Sequence, residues 1–278
     1  MSISQLEQAP DDKSDLTVPA KHRFILFARK WALRIVVPFV LILFWQLYAS
    51  AGWLDENVFP APTTIFDAYI ELWKSGDWQT ALPVSLRRAG LGLLIGGGSG
   101  LILGILAGLF TSAERLYDAP MQMIRTIPFI AMVPLFVVWF GIGETSKVAL
   151  IIGASIFPVY LNTYHGIRGI DSKLLELGNA FSMSKYDQIR LIVFPVAMPS
   201  ILVGWRYAAG AALLGLVAAE QINSNAGLGY ILNNATQFQR TDILISGVLV
   251  YAVLGIIVDM IMRFIERNVL SWRVHDNA

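Results

Sequence analysis

Residues 89–110 read AGLGLLIGGGSGLILGILAGLF, a run without a single charged side chain. At 1.5 Å per residue, about 20 apolar residues in helical form cross the roughly 30 Å hydrocarbon core of a bilayer. This run is long enough to do so. Its glycines Gly92, Gly96, Gly100, Gly104 and Gly108 recur every four residues along one helix face. Small residues at that spacing let a second helix backbone approach closely, where van der Waals contact replaces the hydrophobic drive that lipid cannot supply. The stripe is read as a helix-packing seam; a place along a solute path is the other reading.

Five similar runs lie around it, at roughly 31–51, 125–142, 148–166, 196–219 and 243–264. The expectation is an all-α polytopic membrane protein with six transmembrane helices. Composition agrees: 55% of the 278 residues are hydrophobic, 15% are charged, and mean hydropathy is +0.58. A soluble domain carries about a quarter charged residues. The runs are continuous and do not alternate, so a β-barrel is excluded. Within the runs, Pro128, Pro134 and Pro158 each remove a backbone hydrogen bond and predict kinks.

Net charge of +1 with no basic face gives no nucleic-acid partner. There is no cysteine, which removes disulfides and thiolate chemistry. His22, His165 and His275 are scattered, so no metal site is expected. No nucleophile, base and orienting group assemble from the sequence, so a membrane enzyme is disfavoured and no catalytic residue is assigned.

Lysine and arginine favour the cytoplasmic side of a membrane. With the N-terminus inside, fifteen of the 21 fall on inner segments, five fall outside (Lys74, Arg87, Arg88, Lys147 and Arg240), and Arg206 lies within a span. Both termini are therefore expected in the cytoplasm. The chain divides into a polar and basic tail at 1–30, a first span at 31–51, a periplasmic segment at 52–88 with an interfacial helix, a five-helix core at 89–264, and a C-terminal tail at 265–278. The first run also carries Ala49-Ser50-Ala51, which looks like a cleavage site, but its length suits a span.

Three ionisable groups lie near the membrane. Arg206 sits about seven residues into the fifth run; it either snorkels or pairs with a residue such as Asp259, or it meets a passing anion. Glu220, at the outer end of the same run beside Asn223, would repel an anion, so a structural or partner contact is favoured over contact with solute. Arg206, Glu220 and Asn223 are kept as candidates for the translocation path or gate, and Asp259 is read as a structural pair.

The informative connection is the inner one at 165–197. Its centre, LLELGNAFSM at 174–183, has the pattern of an amphipathic helix, followed by Lys185, Asp187 and Arg190. An apolar side stranded between spans needs lipid or a partner, and the basic content is small for a lipid patch. The order Glu176-Leu177-Gly178, then Ser182 in a glycine place, then Ile192, Phe194 and Pro195, resembles the cytoplasmic signature of ATP-binding-cassette importer permeases. Leu177, Ser182 and Phe194 depart from the usual residues, and Ser182 makes the turn less permissive than glycine does. LFVVWFGIGETSK at 135–147, FPVYLNTYHGIRGID at 157–171 and AAEQINSNAGLGY at 218–230 are similar to the aliphatic sulfonate, taurine and nitrate group of that family, closest to its alkanesulfonate permeases.

The resemblance implies a type I importer permease fold in the inner membrane and a homodimer of this chain. Two copies of an ATPase subunit are implied beneath it, and a periplasmic or lipid-anchored solute-binding protein outside. ATP and Mg would be used by the ATPase, with no cofactor on this chain. The segment with Glu176, Leu177, Gly178, Ser182, Met183, Lys185, Asp187, Ile192, Phe194 and Pro195 would dock on the ATPase, Glu176 giving a polar contact or a charge at the start of a helix. The implied solute is an aliphatic sulfonate, with taurine, nitrate or bicarbonate as alternatives. A secondary transporter is the more remote rival, left open by Arg206 and the proline-containing spans.

Overall fold

A computed structural model describes residues 36–221 and 224–272, in which every regular element is helical. Residues before Asn57 form a unit of their own, whose helix α1 spans Val36–Ser50. Gly52 in the left-handed region follows it, and Tyr48 and Trp53 meet edge to face at 4.6 Å. Amphipathic aromatic rings favour the level of lipid headgroups.

The larger unit begins with α2, Pro62–Ser75. Pro62 opens it where a missing N–H costs nothing, and Gly76 at φ 86° closes it by returning its N–H to the carbonyls of Leu72 and Trp73. The helix buries Ile65, Ala68 and Leu72 and leaves Phe66 and Trp73 exposed on the opposite side.

Helix α3, Asp77–Leu109, has 33 residues and is roughly 50 Å long, well beyond a hydrocarbon core. It therefore starts twelve residues before the apolar run that announced it, and Arg88 lies inside it, buried, instead of on an outer loop. The glycine stripe faces α6, Glu144–Arg168. A Cβ on Gly96 would stand 2.5 Å from the Ile152 carbonyl oxygen, and one on Gly104 would stand 2.7 Å from Thr163 Cβ. The two backbones are as close as glycine permits. On its other side α6 packs against α9, Phe194–Glu220, where Gly204 fits beside Asn162 and the Pro158 carbonyl. Helices α3, α6 and α9 form the central layer.

Between α3 and α6 the chain reverses at Phe110 into α4, Thr111–Arg125. It then breaks near Pro128 and continues through a 3-10 turn, Phe129–Met132, into α5, Val133–Phe140. The two halves are bent by 96°. The run expected as the third span, 125–142, is thus the second half of a sharply bent helix pair, whose turn falls where proline disfavours the helical region for the residue before it.

After α6 come α7, Ser172–Ala180, and α8, Lys185–Gln188. A π-helical turn, Ile189–Val193, joins α8 to α9 without interruption. The expected return to the membrane through 192–195 is therefore the inner part of one long helix, Lys185–Glu220. Two helices complete the unit: α10, Leu228–Gln237, and α11, Thr241–Val269. Trp78, Leu228, Ile231 and Leu254 pack α3, α10 and α11 into one apolar cluster.

Four described helices are long and apolar enough to cross a membrane, or five if the bent pair counts as one span. The remaining expected run, 31–51, is represented by α1, which is too short by itself, and residues 31–35 lie outside the described residues. The expected count of six is therefore not reached by the described helices alone.

Candidate functional site

The end of the bundle bearing Arg168 and α7 is the one that the lysine and arginine distribution assigns to the cytoplasm. Asp171 caps α7 by accepting from the Lys173 N–H at 2.9 Å. Glu176 is consequently in the middle of α7, exposed, and not at a helix start. Leu175 turns inward to Ile167, Val193 and Ile201, fixing α7 to the inner ends of α6 and α9. Gly178 is buried, and a Cβ there would stand 3.1 Å from both Gln188 Cγ and Ile192 Cδ1. A larger side chain would lift α7 off the following helix.

The end of α7 explains the signature's glycine place. Met183 N–H bonds the Gly178 carbonyl at 3.0 Å and Ser182 N–H bonds that of Asn179 at 2.9 Å, the pair of bonds that closes a Schellman motif. That motif requires a left-handed residue, and Ser182 takes it at φ 53°. A Cβ in this region costs roughly 1–2 kcal/mol. Ser182→Gly is accordingly expected to stabilise the turn by about 1 kcal/mol, read as slower amide hydrogen exchange over residues 178–184.

Ser184 caps α8 by accepting from the Asp187 N–H at 3.2 Å while its hydroxyl donates to Asp187 Oδ2 at 2.6 Å. Gln188 Nε2 donates to Asn179 Oδ1 at 2.7 Å and ties α8 back to α7. Asp187 is thus engaged inside the elbow, whereas Lys185 is exposed. Ile192 touches the Gly178 face, and Phe194 and Pro195 sit half-buried in the first turn of α9. Beside the exposed Glu176 and Lys185, large apolar side chains project from this rigid elbow: Phe181 is 76% exposed, Tyr186 69%, and Leu177 also stands out.

Just above the elbow, α4 is bonded to α6 and α3. Tyr160 donates to Asp118 Oδ1 at 2.6 Å and Tyr164 to Glu114 Oε1 at 2.5 Å, and Arg168 pairs with the same glutamate. Tyr117 donates to the Leu103 carbonyl at 2.8 Å. Leu103 and Tyr117 lie seven residues either side of Phe110, so α4 folds back along α3.

Arg206 of α9 pairs with Glu266, and its Nε lies 3.9 Å from Asp259 Oδ1, both on α11. Of the two readings of Arg206, the pairing is the one present in the structure, with Glu266 joining the expected Asp259. Glu266, in the expected C-terminal tail, belongs to α11, which runs helically past the apolar stretch.

Glu220 is 0% exposed. Its carboxylate accepts from Ser85 Oγ at 2.7 and 2.9 Å, Arg88 Nη1 at 2.6 Å, Gly229 N–H at 2.8 Å and Tyr251 OH at 3.1 Å. Arg88, 3% exposed, also bonds Glu144 and the Ala226 carbonyl. Gly227 is left-handed at φ 109°, and a Cβ on it would collide with Glu220 and Arg88. Glu220 is thus an anchor that fastens the 226–229 backbone to α3, a structural contact of the kind its charge favours over contact with solute. Asn223 lies outside the described residues. Sequence reading missed Arg88, Ser85 and Tyr251, whose shared partner Glu220 is 132, 135 and 31 positions away on another helix. Near the outer surface, Arg240 bonds Glu71 and Asp242, and these acids raise its pKa further above the usual guanidinium value.

Between the broken helix and the α6 and α9 faces lies a cavity of about 750 Å³. Phe157, Leu161, Leu214 and Ala218 line it, with Gln221 toward one end. It reaches both halves of the bent helix pair.

Residues 100–271 match the model of a family described as the binding-protein-dependent transport system inner membrane component. The chain is 42% identical over 243 residues to the putative aliphatic sulfonates transport permease protein SsuC of Bacillus subtilis, covering 87% of this chain and 88% of the relative. It is 40% identical to the protein of the same name from Escherichia coli, covering 88% and 94%. The taurine transport system permease protein TauC of Escherichia coli is 28% identical over 88% of this chain and 91% of that one. Among solved structures, an inward-facing MetNI methionine ABC transporter matches with a TM-score of 0.59 at 17% identity, covering 68% of this chain and 94% of that chain. At that identity the likeness is one of fold.

Proposed function

Because this chain belongs to the family of binding-protein-dependent transport system inner membrane components, we propose that it forms, as a pair of copies, the path by which an aliphatic sulfonate enters the cell. The chain has the type I importer permease fold and is a transport component of an ATP-binding-cassette system. In the proposed assembly both termini are cytoplasmic. Two ATPase subunits bind ATP and Mg and dock beneath the pair, and a solute-binding protein delivers from outside. Catalysis of hydrolysis belongs to those ATPases, and this chain supplies the moving path.

The elbow of α7 and α8 is the observation that carries the coupling. Its backbone is closed by caps at both helices, so it transmits force as a body, and its apolar side chains project where no part of the described chain covers them. Movement of that body passes directly into α9, because the π turn leaves no flexible joint. Nucleotide-driven closure of the ATPases then biases a two-state rigid-body change. The sulfonate assignment follows the relatives with the higher identity, against 28% for the taurine permease.

The test is ATP hydrolysis by the reconstituted complex with its binding protein. An alkanesulfonate is expected to stimulate it; a response to taurine or nitrate without one to alkanesulfonates moves the solute within the family. Uptake by this chain alone, driven by a proton gradient and indifferent to ATP, defeats the importer assembly.

A further inference from the structure

We infer that Arg125 receives the anionic head of an amphiphilic organic anion within the membrane, while the apolar lining of the adjoining cavity receives its carbon tail. The inference rests on the reading of this chain as an importer permease and names the group on the path that recognises the solute.

Arg125 is the last residue of α4, where the chain bends by 96°. It lines the 750 Å³ cavity together with Ala154, Phe157 and Leu161 of α6. Those residues lie seven to fourteen positions before the inner end of α6 at Arg168, roughly 10–20 Å along the helix axis. Arg125 is thus set beside the middle of a spanning helix, and the residue is itself exposed on the surface of the single chain. Apart from Arg125 and Gln221, no polar side chain lines this cavity among the described residues.

Arg88, Arg168 and Arg206 of the central layer are matched by acids: Arg88 by Glu144 and Glu220, Arg168 by Glu114, Arg206 by Glu266 and Asp259, whereas Arg87 of α3 and Arg267 of α11 have no such partner among the described residues. Arg125 has no ion-pair or hydrogen-bond partner among the described residues. Its place at a helix C-terminus is favourable for a cation, but the helix dipole does not occupy the five donors of a guanidinium. Ionisable groups at this depth are costly and mark solute paths when they are not paired.

The fork of a guanidinium matches two oxygens of a sulfonate or carboxylate. A hydrocarbon tail gains from Phe157, Leu161 and Leu214, which a small inorganic anion cannot reach. Taurine carries an ammonium group as well, and no carboxylate lines the cavity to receive it. The site therefore selects monoanions with apolar tails over zwitterions and over nitrate.

An anionic lipid offers the same chemistry, and the test separates the two. The chain contains no cysteine, so Leu161→Cys supplies a single thiol in the cavity, with Ala154→Cys as a second position. The complete complex is reconstituted in phosphatidylcholine vesicles and treated with anionic and cationic methanethiosulfonates. The anionic reagent is expected to react about tenfold faster, Arg125→Gln to abolish that preference, and Arg125→Lys to keep most of it. Butanesulfonate is expected to slow the labelling, and taurine to leave it unchanged.

The inference is overturned if neither thiol reacts, if the preference survives Arg125→Gln, or if butanesulfonate gives no protection. Protection given only by added phosphatidylglycerol makes the site a lipid site and overturns it equally. If labelling behaves as expected but the wild-type complex takes up no alkanesulfonate, the anion site stands and the solute assignment of the importer falls.

Discussion

Glu220→Ala is expected to destabilise the protein by about 3–5 kcal/mol, the cost of leaving a buried charge without its partner. The ion pair with Arg88 need not be strongly stabilising in itself, because burying two charges costs nearly what their attraction returns. Removing only the carboxylate is different. Arg88 is 3% exposed and keeps only Glu144 as an acid, while Ser85, Tyr251 and the Gly229 N–H all lose their acceptor in a place water does not reach. Each orphaned donor adds a desolvation penalty of about 1–3 kcal/mol, and the terms are not additive.

Glu220→Gln should cost less, since an amide oxygen still accepts from Ser85 and Gly229. Replacing both charges by leucine should recover part of the loss. The measurement is the apparent melting temperature in detergent, with hydrogen exchange at residues 226–230 as the local readout. If Glu220→Ala melts like wild type and those amides stay protected, the node is not what fastens the outer backbone to α3.

That node also shows where sequence reading stops. Arg87 and Arg88 stand together just before an uncharged run, and the alternation of spans that puts most lysines and arginines inside leaves both at an outer boundary. Only folding brings Glu220, 132 positions away, against Arg88. Nothing local in the sequence distinguishes the buried arginine from its neighbour. The glycine stripe was legible for the opposite reason: a period of four is a property of one helix, and it predicts a close neighbour without saying which. The structure supplies α6 as that neighbour.

Pro128 signalled a disturbed span, but its rule limits only the preceding residue, and the 96° bend depends on how α4 is bonded to Leu103, Tyr160 and Tyr164. The glycine place of the inner signature marked a special backbone angle, and Ser182 occupies that angle despite its side chain. For Arg206, depth in the span suggested a partner such as Asp259. Glu266 was missed because hydropathy fades near Phe264 while the helix continues to Val269.

Phe181→Ala is expected to weaken binding of the ATPase by about 30-fold, which corresponds to about 2 kcal/mol for an aromatic anchor at an interface centre. The side chain is 76% exposed and has little to lose within its own chain, so the fold and the melting temperature should hardly change. ATP-dependent uptake should fall with the affinity. Tyr186→Ala should act in the same direction, because both residues project from one elbow whose geometry is fixed by the Ser182 and Ser184 turns.

Exposure alone does not produce this effect in a membrane protein, where apolar side chains also face lipid. Phe238 supplies the control: it is 77% exposed but follows α10, at the opposite end of the bundle from α7. Phe238→Ala should leave ATPase binding unchanged. A complex that tolerates Phe181→Ala, or responds equally to both substitutions, is inconsistent with coupling through α7 and α8. Loss at Phe181 with retention at Phe238 places the joint on the inner elbow, where the turn closed by Ser182 holds the aromatic ring toward the partner and the π turn carries its displacement into α9.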